Sequence, residues 1–152
     1  MQIRIEAFDL PGRECGREPG FPGYCNIHVG VQQRERRDEL LGMIPGDASS
    51  ATWELEVTAT RREAGWDLRG PFVHGRPGGR FVYLSWGTVD EARVFSMFRR
   101  AKLWLDAIPA GVLEAAGDGG VLVARLGLTD AKGQPLCASV RPPLVEWSAL
   151  PG

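Results

Sequence analysis

The side chains best suited to do chemistry in this sequence are its histidines and its polar aromatic residues. The chain has only two histidines, His28 and His74. Because a histidine titrates near neutrality, either one could act with Tyr83 as the general base of a proton transfer or a cyclisation. A few polar groups that converge on an apolar cavity are the usual form of a small-molecule site. The predicted ligand-binding residues are Tyr24, Asn26, His28, His74, Tyr83 and Trp86. The open alternative is that these side chains only complete a core.

The cysteines do not form a metal-binding pattern. Cys15, Cys25 and Cys137 include no Cys-x-x-Cys pair, which is the spacing typical of zinc sites. Cys25 and His28 are three residues apart, so in a strand their side chains point to opposite faces. The glycine patterns of phosphate loops and of dinucleotide-binding folds do not occur either. The sequence therefore predicts no metal and no cofactor.

Charge and hydropathy limit the partners and the compartment. The formal net charge is −1, and only Lys102 and Lys132 among the 18 cations are lysine. The arginine clusters have acidic neighbours, so we expect solvated faces and neither nucleic acid nor membrane as a partner. The first residues carry charges where a signal peptide needs an apolar stretch, and no apolar run approaches the roughly 18 residues that span a bilayer. With an odd number of cysteines, we expect a soluble cytoplasmic protein with reduced thiols.

The elements that must position the candidate residues are mainly strands. For 152 residues we expect one domain, residues 1–152, around one core. Period-two alternation predicts a strand from Ile3 and further strands at Tyr24–Gln32, Leu40–Ile44 and Thr52–Thr60. The segment Leu10–Gly23 is rich in proline and glycine, and we expect a long loop that borders a pocket.

A hairpin at the centre of the sheet carries several of the candidate residues. The tetrapeptide at 76–79 fits a type II turn, since Pro77 presets φ at the second position and Gly78 tolerates positive φ at the third. If the hairpin closes there, His74 lies across from Phe81. The segment Phe81–Trp86 is apolar on both faces, so we expect a central strand that is covered on both sides.

One long helix is predicted from Thr88 to Ile108. Thr88 and Glu91 have the spacing of a capping box. Apolar residues recur at spacings of three and four, at Val94, Phe98, Ala101, Leu105 and Ile108. We expect this stripe to pack against the sheet. A second short helix is predicted between Pro109 and Gly117, followed by a last hairpin in which Val121–Thr129 pairs with Leu136–Val145.

Several strings of the sequence resemble one bacterial family. They are NIHVGVQ (26–32), RPGGRFVYLSWG (76–87), FRRAKLWLDAIP (98–109) and LGLTDAKGQPLCASVRPPLVEW (126–147). They are similar to the sequences of an actinobacterial family catalogued as a domain of unknown function, and the similarity runs nearly end to end. The resemblance implies a bacterial, cytoplasmic origin. It implies no activity, cofactor or catalytic residue.

These elements predict an α+β fold, in which an antiparallel, hairpin-rich β-sheet forms a half-barrel or a two-layer sandwich and packs against one main amphipathic helix. Three functions stay open. The first is a small-molecule or peptide binding module with a pocket near the central hairpin and the loop at 10–23. The second is a cofactor-independent isomerase or cyclase that uses a histidine as general base. The third is a homo-oligomeric interaction protein, for example a homodimer that pairs through an exposed sheet edge.

Overall fold

A computed structural model of the chain describes residues 1–10, 16–18, 21–24, 27–34, 40–45, 48–89, 92, 94–133 and 136–152. These residues form fourteen strands and one helix. In chain order the elements are β1 (Gln2–Phe8), β2 (Gly16–Glu18), β3 (Phe21–Tyr24), β4 (Ile27–Gln32), β5 (Leu40–Pro45), β6 (Ser50–Glu56), β7 (Thr58–Arg62), β8 (Gly65–Arg69), β9 (His74–Arg76), β10 (Gly79–Val89), β11 (Phe95–Trp104), α1 (Ala110–Ala116), β12 (Val121–Gly127), β13 (Ser139–Val140) and β14 (Glu146–Leu150).

A four-stranded sheet has the order β14-β12-β1-β6. Strand β1 pairs antiparallel with β6 and parallel with β12, so the sheet is mixed. Ile3, Ile5 and Ala7 alternate along β1 and are buried, as the period of two predicts. On β6 the same alternation buries Trp53 and Leu55.

A six-stranded sheet contains the central hairpin. Its order is β13-β11-β10-β4-β5, and β9 also pairs with β10. Val82, Leu84 and Trp86 on β10 and Val29 and Val31 on β4 are fully buried. These side chains belong to the same apolar cluster as the buried residues of the four-stranded sheet. One core therefore lies against both sheets.

Two further hairpins complete the strands. Strands β2 and β3 pair with each other inside the segment that was predicted to be a loop. Strands β7 and β8 form an antiparallel hairpin with Thr58 opposite Arg69. Leu68 on β8 belongs to the core cluster, so this hairpin packs on the core although it belongs to neither large sheet.

In the segment predicted to be the long helix, Thr88–Ile108, most of the described residues form strands instead. Thr88 belongs to β10, and β11 runs antiparallel to β10 with Trp104 opposite Phe81. Val94, assigned by sequence to the buried stripe, is 55% exposed. Ala101 and Leu103 are fully buried. The side chains that alternate with them, on the other face of β11, are Arg100, Lys102 and Trp104.

The helical prediction is wrong for a physical reason. The stretch from Arg100 to Leu105 alternates strictly between the two faces of a strand, but it also keeps apolar residues at spacings of three and four. The aromatic residues of the segment, Phe95, Phe98 and Trp104, favour a strand. Pairing with β10 selects the strand period of two over the helical spacing of three and four. A local sequence pattern does not reveal this partner.

The short helix α1 lies where the sequence predicts it, directly after Pro109 and ending before Gly117. Its buried residues are Leu113 and Ala116. No helix in the described part of the chain has the length and apolar character needed to cross a membrane. The α+β class with a dominant, hairpin-rich sheet is confirmed, but among the described residues the short α1 is the one helix, and the predicted long helix before it does not form.

The last hairpin differs from the prediction. Strand β12 pairs antiparallel with β14, with Val121 opposite Leu150, whereas the short β13 pairs in parallel with β11. Prolines 142 and 143 separate β13 from β14. Because proline donates no backbone hydrogen bond, the chain changes sheets at this point and pairing with β12 begins only at Glu146.

Candidate functional site

The turn of the central hairpin forms as the sequence predicts. Gly78 has a φ of +82°, and His74 lies opposite Phe81 in the β9–β10 register. Side chains alternate along β10, so Phe81, Tyr83 and Ser85 point away from the core that holds Val82 and Leu84. We call the following set on the outer side of the six-stranded sheet the outer-face cluster: His74, Phe81, Tyr83, Arg100, Lys102 and Trp104.

Four aromatic rings of the outer-face cluster pack together. The His74 ring stacks on Phe81 with centroids 5.5 Å apart and meets the edge of Tyr83 at 5.0 Å. Phe81 contacts Tyr83 at 4.8 Å and Trp104 at 5.2 Å, both edge to face. These are the distances at which aromatic pairs attract each other. The outer side of the sheet therefore carries a small aromatic layer of its own, not the helix that was predicted to cover it.

Cationic side chains lie on these rings. The Lys102 ammonium is 4.5 Å from the Phe81 centroid and 5.4 Å from that of Trp104. The Arg100 guanidinium is 4.3 Å from the Tyr83 centroid. Each cation is attracted by the electron-rich face of the ring, which restrains a long, flexible side chain without neutralising its charge.

The cluster has more positive than negative charge. Arg141, whose guanidinium lies 4.7 Å from the Trp104 centroid, forms an ion pair with Asp106 at 2.9 Å. Among the residues that the structure describes, no carboxylate lies within ion-pair distance of Arg100 or Lys102. The nearest polar contact of Arg100 is a long one, 3.5 Å to the amide oxygen of Gln32. Within the described residues, the charges of Arg100 and Lys102 therefore have no carboxylate partner.

The histidine of the cluster is held by the backbone. His74 Nε2 lies 3.1 Å from the carbonyl oxygen of Gln32. A carbonyl oxygen only accepts hydrogen bonds, so Nε2 carries the proton and donates it. Of the predicted catalytic residues, the structure thus brings together His74 and Tyr83, and a base at this position would have to act through Nδ1 of His74.

The other predicted site residues lie elsewhere. Trp86 is fully buried on the core side of β10, and its indole Nε1 donates to the carbonyl of Leu136 at 2.9 Å. It therefore belongs to the core, because strand alternation separates it from Tyr83. His28 is half-buried on the outer side of β4, where it pairs with Gly87. The backbone of Tyr24 ends β3, and Asn26 lies outside the described residues.

Sequence reasoning missed the two cations that define the site. Arg100, Lys102 and Trp104 all lie in the segment that the sequence predicted to be a helix, and none of them was named as a site residue. The alternation of cationic and apolar residues from Arg100 to Leu103 is the pattern that indicates a strand with one charged face. Only the register with β10 shows which rings these cations contact.

A cleft lies beside the outer-face cluster, at the end of the central hairpin. It has a volume of about 420 Å³ and lies between the β7–β8 hairpin, the β9–β10 turn and α1. Trp66, Leu105 and Ile108 contribute apolar wall, and Arg62 and Asp106 contribute charge. Asp106 is shared, because it also holds Arg141 over Trp104. The Asp106–Arg141 ion pair therefore links the cleft to the cluster.

A buried carboxylate joins the β7–β8 hairpin to the central strand. The side chain of Asp67 is 1% exposed and accepts hydrogen bonds from Arg80 Nε at 2.9 Å and Arg69 Nε at 2.8 Å. Arg62 approaches it at 3.5 Å. The hydrogen bond from Arg80, supported by that from Arg69 and by both positive charges, lowers the pKa of Asp67 to about 2, although burial acts in the opposite direction. This group is a structural anchor that is ionised at neutral pH.

A comparison with protein families matches residues 1–150 to the family described as "Family of unknown function (DUF5990)". No curated protein and no solved structure matches the chain. The similarity therefore covers nearly the whole sequence and brings no described activity with it.

Proposed function

This chain belongs to DUF5990, a family of unknown function, and we propose that it is a binding module for a small molecule or peptide that carries an anionic group. The ligand docks on the outer-face cluster, with its anionic group at Arg100 and Lys102. The single observation that supports the proposal most strongly is that two cations lie on one half-buried aromatic layer and form no ion pair with any carboxylate of the described residues.

Arg100 and Lys102 are partly buried, so both cations have lost part of their hydration. Partial burial of a cation is unfavourable unless opposite charge or polarisable groups compensate for the lost water. The rings of Tyr83 and Phe81 supply part of this compensation. They leave the N–H donors of Arg100 and Lys102 without an acidic acceptor in the described structure, and a bound anion would supply that acceptor. The aromatic rings beside it offer apolar contact for the rest of a ligand.

The experiment is a titration of the purified chain with phenyl sulfate, followed by the backbone amide signals of β10 and β11 in ¹⁵N NMR spectra. We expect signals near residues 81–85 and 100–104 to shift, and we expect Arg100→Gln and Lys102→Gln to weaken binding at least fivefold each. Arg125 is the matched control, because it also lies over a ring, that of Phe8 at 5.7 Å, but has a carboxylate partner in Glu6 at 3.9 Å.

The result for Arg125→Gln decides whether the effect is local. The affinity of the Arg125→Gln variant for phenyl sulfate should equal that of the unchanged protein. Benzylamine, a cation of similar shape, should not bind. If phenyl sulfate leaves β10 and β11 unshifted at millimolar concentration, or if Arg125→Gln weakens binding as much as Arg100→Gln, the proposal is wrong.

A second candidate function, a cofactor-independent isomerase or cyclase, is favoured by the His74–Tyr83 contact at 5.0 Å. In this proposal His74 is the general base and the anionic site positions the substrate. The test is whether the variants His74→Gln and Tyr83→Phe complement a strain that lacks the gene for this protein, with His28→Gln as the comparison. Full complementation by His74→Gln would exclude this function.

The proposed setting of the ligand-binding function is the reducing cytoplasm of an actinobacterium. An odd number of cysteines and an exposed free thiol at Cys137 support the compartment. The near absence of lysine among the cations supports a GC-rich genome. The test of the compartment is labelling of Cys137 by a thiol reagent in intact cells, without prior reduction. A Cys137 thiol that is oxidised and therefore not labelled would argue against a reducing compartment.

A further inference from the structure

The charge count of the outer-face cluster points to the class of its ligand. We infer that the ligand carries a dianionic phosphate monoester, which Arg100 and Lys102 bind together. This inference rests on the proposed function. A carboxylate or a sulfate ester carries one negative charge and would leave one of the two cations without a counter-charge, whereas a phosphate monoester carries close to two at pH 7 and above.

The positions of the two cations suit one such group. Arg100 and Lys102 are two residues apart on β11 and lie on the same side of the strand. This spacing is roughly 6.6 Å along the backbone, and both side chains are long enough to converge on an anion placed between them. Arginine offers a planar pair of donors and lysine a point charge with three donors, so together they surround a tetrahedral oxyanion from two sides.

The neighbouring strand contributes a third donor. Ser139 on β13 pairs with Lys102 in the parallel register and is exposed. Residues in register on parallel strands point to the same side of the sheet, so the Ser139 hydroxyl lies on the outer side beside the Lys102 stem. A hydroxyl donates to the third oxygen of a phosphate as readily as to water.

The surrounding charges do not oppose a dianion. Two carboxylates line the adjoining cleft, and both are held by arginine: Asp106 by Arg141 at 2.9 Å, and the buried Asp67 by Arg80 and Arg69. Arg141 lies over Trp104, so this cation beside the cluster is already neutralised by Asp106. Within the described residues, Arg100 and Lys102 are the cations of the cluster that lack a carboxylate partner, which sets the preference at two negative charges.

The experiment compares two probes of nearly equal shape, phenyl phosphate and phenyl sulfate, by calorimetric titration at pH 8. Phenyl phosphate is a dianion at this pH and phenyl sulfate a monoanion, so the ratio of their dissociation constants reports the added charge alone. We expect phenyl phosphate to bind about tenfold more tightly, which corresponds to one additional charge-assisted hydrogen bond.

The variants separate this inference from the proposal that it rests on. Lys102→Gln should reduce the tenfold ratio to about one, Lys102→Arg should restore it, and Lys132→Gln, on an exposed loop, should leave it unchanged. Equal affinity for the two probes, with both weakened by Arg100→Gln, would overturn the dianion inference and leave the anion-binding function standing. Failure of both probes to bind would overturn both.

Discussion

Removal of the buried carboxylate of Asp67 tests the central packing of the fold. In Asp67→Asn the side chain keeps its shape but loses the charge that faces Arg80, whose side chain is 11% exposed. The arginine then keeps a partly buried charge without a counter-charge, which is the costly way to break such a pair. We therefore expect a loss of about 3 kcal/mol in the free energy of unfolding at pH 7.

The pH dependence gives an independent value for how much the ionised Asp67 carboxylate stabilises the fold. The folded-state pKa of Asp67 is lowered from 3.8 to about 2. Each pKa unit corresponds to about 1.4 kcal/mol, so the ionised carboxylate contributes about 2 kcal/mol. Because the folded pKa is the lower one, this stability is fully present well above pH 3.8 and is lost as the pH falls through 3.8 towards 2.

The measurement is urea unfolding followed by circular dichroism at several pH values between 7 and 2. The difference in unfolding free energy between the unchanged protein and Asp67→Asn should shrink by about 2 kcal/mol over this range, since the other carboxylates titrate equally in both. Asp118→Asn, at an exposed carboxyl group, is the control and should follow the unchanged protein. A constant difference across the pH range would refute the assignment of a lowered pKa to Asp67.

Three further predictions test the strands around the site, each by thermal or urea unfolding. Leu103→Ala should lower the free energy of unfolding by about 2–5 kcal/mol, and Lys102→Ala should change it by no more than about 1 kcal/mol. The reason is that Leu103 is fully buried whereas Lys102 lies on the outer face. Equal losses would contradict the strand at β11. Gly78→Ala should cost about 1 kcal/mol from its positive φ alone, since no atom lies within 4 Å of the added Cβ. Gly87→Ala should cost more than Gly78→Ala, because its Cβ would lie 2.4 Å from the carbonyl oxygen of Ser96; the reverse order would show that β10 and β11 separate at the bulge.

The turn at Gly78 shows where local chemistry suffices. A proline that presets φ and a glycine that accepts positive φ specify a turn type without help from the rest of the chain. The register of His74 with Phe81 follows from the turn, since a hairpin is paired outwards from its turn. The pairing does not continue to earlier residues, because β9 begins at His74 and Arg69 pairs with Thr58.

The candidate site was predicted only in part for a related reason. His74 and Tyr83 were found because both lie close to a turn whose geometry is local. Lys102 reaches the same rings from a strand nearly twenty residues further along the chain, and its role depends on the pairing of β11 with β10. The partner of β12 was also missed, because β14 lies beyond two prolines and the sequence does not indicate which strand resumes pairing after them.

By itself the sequence determined the class of the fold, the inward residues of β1 and β6, the hairpin turn and the short helix after Pro109. These features depend on residues within a few positions of each other, where backbone sterics and side-chain alternation act directly. Only the tertiary structure decided that residues 95–104 form a strand and that Arg100 and Lys102 lie on aromatic rings. A strand needs a hydrogen-bonding partner from elsewhere in the chain, and the two periods in this segment are not distinguished until that partner is in place.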